Sequence, residues 1–112
     1  MVTPAAGSVV LVPFPFSDLS QSKRRPAVVL AGAERGDWIL CQVTSKPYAD
    51  ARAVELTDHD FAQGGLRIVS YARPAKLFTA HESIFVSEVG MLSAGMLQKI
   101  TDEVVAVIQR SA

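Results

Sequence analysis

Up to about residue 92 the apolar residues come in short bursts divided by polar turns, and after that their period changes. Residues 8–16 read SVVLVPFPF, a β-branched run followed by Pro13 and Pro15. Proline has no N–H to give to a ladder, so this strand is expected to end, or to become an edge, near Pro13. Residues 17–22 are polar and read as a loop. Residues 27–31 (AVVLA) form the continuous apolar run of a buried strand, residues 32–37 (GAERGD) a turn, and residues 38–44 (WILCQVT) another strand. That spacing predicts an antiparallel hairpin. Beyond it come a loop at 45–51, a weak strand at 52–56 and a polar loop at 57–65. A strand at 66–71 then continues through 72–79, and residues 82–89 read as the last strand or a bent continuation.

The tail is different. Leu97, Ile100, Val104, Val107 and Ile108 recur at the spacing of one helical face, and Ser93 stands where an N-cap belongs. A packing helix is expected at about 93–110. Several short strands with tight turns followed by one helix predict a mainly β fold with a C-terminal helix, a twisted antiparallel sheet curling into a small barrel.

Composition narrows the classes. The 112 residues suit one domain with a single core, and an apolar share of 49% is ample to fill it. Lys plus Arg and Asp plus Glu are both 11, giving zero formal charge, so any nucleic-acid binding has to come from local clustering of cations. A neutral surface also favours self-association. Cys41 is the only cysteine, which excludes an internal disulfide or a thiolate zinc site, and it reads as a core residue. The first residues have neither the basic start nor the apolar stretch of a signal peptide, and no run approaches the ~20 apolar residues of a membrane helix. A cytoplasmic protein with no membrane association is the expectation.

For chemistry, the chain lacks a glycine-rich phosphate loop, a metalloprotease helix motif and a serine-triad signature. His59 and His81 sit in polar contexts and form no motif together; both read as solvated loop histidines. The run Asp58, His59, Asp60 reads as a turn. The only basic cluster is Lys23-Arg24-Arg25, just before a strand. It is either a solvated strand entry or a phosphate site, for which the planar, permanently charged guanidinium is well suited. In the predicted hairpin the start of one strand lies near the end of the next, so Arg25 and Thr44 are expected to be neighbours at one rim.

Several segments, in order, resemble the MazF/PemK toxin family. Gly7 precedes Val9-Val10-Leu11-Val12, and Lys23-Arg24-Arg25-Pro26-Ala27-Val28-Val29-Leu30 has the family's Arg-Pro step. Leu40 to Lys46 matches a strand ending in Thr-Ser, while Ser70 to Leu77 and Met91-Leu92-Ser93 follow in family order, so the likeness runs from about Gly7 to Ile108. The resemblance implies an SH3-like β-barrel that forms a homodimer. It also implies metal-independent, sequence-specific cleavage of single-stranded RNA, with no cofactor, to a 2′,3′-cyclic phosphate, and inhibition by a cognate antitoxin protein. The family's catalytic Arg and Thr fall on Arg25 and Thr44. Lys23, Arg24, Ser45, Lys46 and Arg73 are then candidate RNA contacts, and Tyr48 either stacks on a base or packs on the barrel. Phe14 and Phe16 read as core or dimer contacts ahead of base platforms.

The chain departs from the family pattern in two places. Ser8 stands where an acidic residue is usual, and Ser70 to Arg73 lacks the Arg and Asp that serve as acid and base in some members. The general base is left open among His59, Glu55 and Ser45. Two other readings remain: a toxin of related fold that inhibits a protein such as gyrase, and a catalytically weak member acting as a binding module. Protein-targeting relatives carry their contacts at the end of the last helix, where residues 109–112 here are nondescript.

Overall fold

The computed structural model describes residues 3–15, 22–47 and 49–110. The loop expected at 17–22 lies almost wholly outside these residues, as do Phe16, Tyr48 and the side chain of Phe14. Among these residues seven strands form one antiparallel sheet: β1 (Ser8–Pro15), β2 (Ser22–Gly32), β3 (Asp37–Thr44), β4 (Val54–Leu56), β5 (Phe61–Gly64), β6 (Ser70–His81) and β7 (Ser87–Leu92). One helix, α1 (Ala94–Gln109), follows. Across the sheet the order is β4-β6-β3-β2-β1-β7-β5. The sheet curls into a half-barrel, its two edges being the two shortest strands, which limits the backbone left open for foreign pairing.

The strands differ from the sequence expectation in ways that have causes. β1 does not stop at Pro13 but pairs with β2 as far as Pro15 opposite Ser22. N–H groups two residues apart in a strand face the same neighbour. The Leu11 carbonyl accepts from Val86 on the β7 side, so Pro13 and Pro15 turn their missing donors to that side, where β1–β7 pairing has already ended at Leu11–Ser87. The basic cluster lies inside β2 rather than ahead of it. Residues 66–69 are not a strand; the strand begins at Ser70. The polar stretch 57–65 contains a short 3-10 turn at Asp58–Asp60 and then β5. A second 3-10 turn at Glu82–Ile84 delays the last strand to Ser87.

β6 carries the largest irregularity. Cys41 of β3 faces Leu77 while Val43 faces Ala72, so residues 73–76 bulge opposite Gln42 alone. Pro74, within the bulge, is fully buried and needs no ladder partner.

Alternate residues fill two apolar clusters on opposite faces. One holds Val9, Val28, Cys41, Val43, Ala72, Val54 and Leu56 and is closed by Met96 and Ile100 of α1. The other holds Val10, Val12, Ala27, Val29 and Leu40 beneath Phe85, with Trp38 and Phe78 against it. Burying an aliphatic side chain of this size contributes ~1.5–3 kcal/mol. Burial pushes the Cys41 thiol up to about 12, so it packs as a neutral hydrophobe. The helix begins as expected: the Ser93 hydroxyl accepts from the Met96 N–H at 3.2 Å. Its inward stripe is shifted by part of a turn, since Met96 is buried and Ile108 is 61% exposed.

Gly7 fixes β1 between its neighbours. Its N–H donates to Val29 at 2.8 Å and its carbonyl accepts from Leu92 at 3.0 Å, with a φ of 98° that favours glycine.

Candidate functional site

Strand register assembles the site. Lys23, Arg24 and Arg25 lie opposite Phe14, Pro13 and Val12. The last β2–β3 pair at this end is Ala27 with Gln42, and the same register carried two residues past it would set Arg25 level with Thr44. On its other side Thr44 faces Tyr71 of β6, which faces Glu55 of β4. Cross-strand neighbours share a face, so Thr44, Tyr71 and Glu55 form a row at a strand spacing of ~4.8 Å.

Arg25 is half-buried, with its Nε inaccessible. Thr44 is buried to 9% exposure, and its hydroxyl is fixed by the next turn: it accepts from the Lys46 N–H at 3.1 Å and donates to the Lys46 carbonyl at 3.3 Å. Thr44 Oγ1 is thus positioned before any ligand arrives.

At the same end of the sheet a cleft of about 350 Å³ opens between β2 and the bend before β6. Lys23, Arg24, Arg25, Pro26, Ser45 and Ser70 line it, with Leu66, Arg67 and Ile68 forming the opposite wall. Among the described residues, four of the nine that line it are cations and none is acidic. In a chain of zero net charge, this is a local concentration of positive potential. Arg67 is the contributor the sequence did not reveal. It sits alone in the apolar run Leu66 to Val69, whose pattern reads as a strand and hides its place on a bend facing the basic strand. The Ser70 hydroxyl donates to the Ile68 carbonyl at 3.1 Å, holding that bend.

The other sequence candidates fall around this cleft. Lys46 is exposed in the turn that holds Thr44. Tyr48 lies outside the described residues. Arg73 does not line the cleft; its Nε donates to Asp50 at 2.8 Å, tying the loop after β3 to the β6 bulge. That bond, and a second from the Arg52 N–H, hold the Asp50 carboxyl below the usual carboxylate range. Of the three groups considered as general base, Ser45 lines the cleft, and Glu55 is exposed two strands from Thr44. His59 lies in a neighbouring cleft of about 280 Å³ formed by residues 56–59, 61 and 66–69. His81 is committed elsewhere, its ring bridging Ser83 and the Arg35 carbonyl.

Residues 5–108 match the family described as PemK-like, MazF-like toxin of type II toxin–antitoxin system. The chain belongs to that family. Solved structures share its fold. A chain of the MazE–MazF crystal structure from Deinococcus radiodurans superposes with a TM-score of 0.76 at 22% identity, covering 99% of this chain and 100% of that one. An endoribonuclease in complex with its cognate antitoxin from a mycobacterial species gives 0.73 at 13% identity, covering 98% and 99%. The Mycobacterium tuberculosis toxin MazF-mt6 gives 0.68 at 15%, covering 91% and 96%. No curated protein sequence matches the chain. Among the described residues of this MazF-like toxin, no helix is long and apolar enough to cross a membrane.

Proposed function

We propose that this toxin is an endoribonuclease that cuts single-stranded RNA by attack of the ribose 2′-hydroxyl on the adjacent phosphate. One observation carries the reading: the cleft that holds Arg25 and the neighbour of Thr44, Ser45, is lined among the described residues by four cations and no carboxylate.

The reaction forms the bond from O2′ to phosphorus and breaks the bond from phosphorus to O5′, leaving a 2′,3′-cyclic phosphate and a 5′-hydroxyl. RNA supplies the nucleophile, so the protein's tasks are to stabilise the charge on the phosphorane and to move protons. Arg25 stabilises that charge with paired N–H donors. Thr44 Oγ1, already bonded twice to Lys46, has one acceptor site left for the 2′-hydroxyl proton. Its 3.3 Å bond to the Lys46 carbonyl is long enough to be exchanged for a phosphate oxygen. Lys23, Arg24 and Arg67 hold the flanking backbone as point contacts, and Lys46 and Ser45 extend the track beyond Thr44. The mechanism asks nothing of a metal ion. A homodimer, a cognate antitoxin that covers the cationic rim and action in the cytoplasm complete the reading, in keeping with the MazE–MazF complex it resembles.

The test is cleavage of a long single-stranded RNA in EDTA by the wild type and by Arg25→Ala, with DNA of the same sequence alongside. Discrete cuts ending in cyclic phosphate, slowed ~10²–10³-fold in the variant and absent on DNA, are expected. A folded wild type that leaves RNA intact would refute the proposal and favour a toxin acting on a protein.

A further inference from the structure

The cleft formed by residues 56–59, 61 and 66–69 is separate from the cationic one, yet the two share Leu66, Arg67 and Ile68 as a common wall. Its chemistry is different. Phe61 and Leu56 form an apolar floor, and Ile68 and Val69 stand as a lip 62% and 48% exposed. Asp58 and His59, both from the 3-10 turn Asp58–Asp60, add polar groups to the lining. That turn is held rigidly, since Asp60 accepts from the Thr57 N–H at 2.7 Å and from its hydroxyl at 3.1 Å. Within one chain these two consecutive aliphatic residues are not packed into either apolar cluster.

We propose that this second cleft is a nucleobase pocket that reads one base of the RNA strand held in the cationic cleft, and that Asp58 selects a base bearing an exocyclic amino group. The inference rests on the endoribonuclease reading above. An unstacked base needs an apolar slot for its faces and polar partners for its edge, and residues 56–69 offer both. Arg67, common to both clefts, is placed to hold the phosphate that leads into the pocket. A carboxylate accepts from the amino group of cytosine, adenine or guanine, whereas uracil has no amino group and offers only its N3–H, flanked by two carbonyl oxygens that repel a carboxylate. The cationic cleft itself, with four positive side chains, holds the strand without telling bases apart. A peptide is the weaker occupant, because the entrance shared with Arg67 is positively charged and continuous with the phosphate track.

The experiment maps the new 5′-hydroxyl ends that the wild type, Asp58→Ala, His59→Ala and Ile68→Ala generate from one long RNA of mixed sequence. Binding of a 2′-deoxy-substituted, uncleavable oligonucleotide containing the wild-type site is measured in parallel. Asp58, His59 and Ile68 are all exposed, so thermal melting within a few degrees of wild type is the control for folding. The expected result is continued cutting with a relaxed preference at one position for Asp58→Ala. Affinity and kcat/KM at the wild-type site should fall about tenfold for His59→Ala and Ile68→Ala. Variants that keep the wild-type site preference, affinity and rate would overturn the base pocket while leaving the nuclease reading intact. A wild type that neither cuts nor binds RNA would overturn both.

Discussion

Replacing Ile100 with alanine removes the side chain with which α1 plugs the half-barrel. Ile100 is fully buried and packs in the cluster that contains Val9, Val28, Cys41 and Val43. Loss of an aliphatic side chain at such a site costs ~2–5 kcal/mol, the transfer term plus the cavity left by rigid neighbours. The higher helix propensity of alanine returns only a few tenths of a kcal/mol. A net loss of about 3 kcal/mol corresponds to a fall in Tm of roughly 12 °C for a domain of this size. Cys41 supplies an independent readout, since it is the chain's only thiol, is fully buried and has a pKa pushed up to about 12. It reacts with a thiol reagent only when the barrel opens. If opening and closing are fast beside labelling, about 3 kcal/mol makes Cys41 react roughly 150 times faster in Ile100→Ala. The two numbers must agree. A Tm within about 3 °C of wild type, or an unchanged labelling rate in a variant that melts early, would refute the claim that Ile100 and Cys41 belong to one cooperative core.

Two further outcomes follow from the geometry. The Asp50 carboxyl titrates lower in the folded state because Arg73 donates to it, so the pair's contribution is present above the ordinary carboxylate pKa and is lost as pH falls below about 4. Asp50→Asn should therefore cost about 1 kcal/mol at pH 7 and almost nothing at pH 2 in urea unfolding, and an equal loss at both pH values would exclude the ion pair as the cause. Gly64, at a φ of 64°, lies where an added Cβ would run into the backbone of Val89 and Gly90, with the Gly90 Cα at 2.8 Å. Gly64→Ala should lower Tm by roughly 10 °C through left-handed strain and a separated β5–β7 pair, whereas a shift under 2 °C would show that the edge yields freely.

The parts of this fold that could be read in the sequence are those whose signal is local. The helix followed from the spacing of Ile100, Val104 and Val107 and from Ser93, and the β2–β3 hairpin from two apolar runs around a turn. The register of that hairpin, carried past Ala27 and Gln42, is what points Arg25 toward Thr44. The remaining features depend on distant partners. β5 is hidden in a polar stretch because Gly64 and Gly90 pair too closely for side chains, and close backbone approach leaves no hydrophobic pattern. The start of β6 was misplaced because Leu66, Ile68 and Val69 have strand-like composition but serve as the wall and lip of two clefts. Arg67 was missed for the same reason: its relation to Lys23 and Arg24 exists only across the sheet.

The two apolar clusters on opposite faces of one sheet have a consequence for how the chain reaches its native state. Most half-buried strands police their own alignment, since a slip of one residue turns polar groups inward. Here Val9 and Val10, and likewise Val28 and Val29, supply opposite clusters, so a one-residue slip of β1 on β2 exchanges one valine for another at almost no hydrophobic cost. Alignment is decided by a few directional features at the strand end: the left-handed Gly7 with its bonds to Val29 and Leu92, and the Ser8 hydroxyl bonded to Glu88. Mis-zipped chains are therefore the natural kinetic traps of this fold, and lesions at Gly7 or Ser8 should show first as slow, heterogeneous refolding.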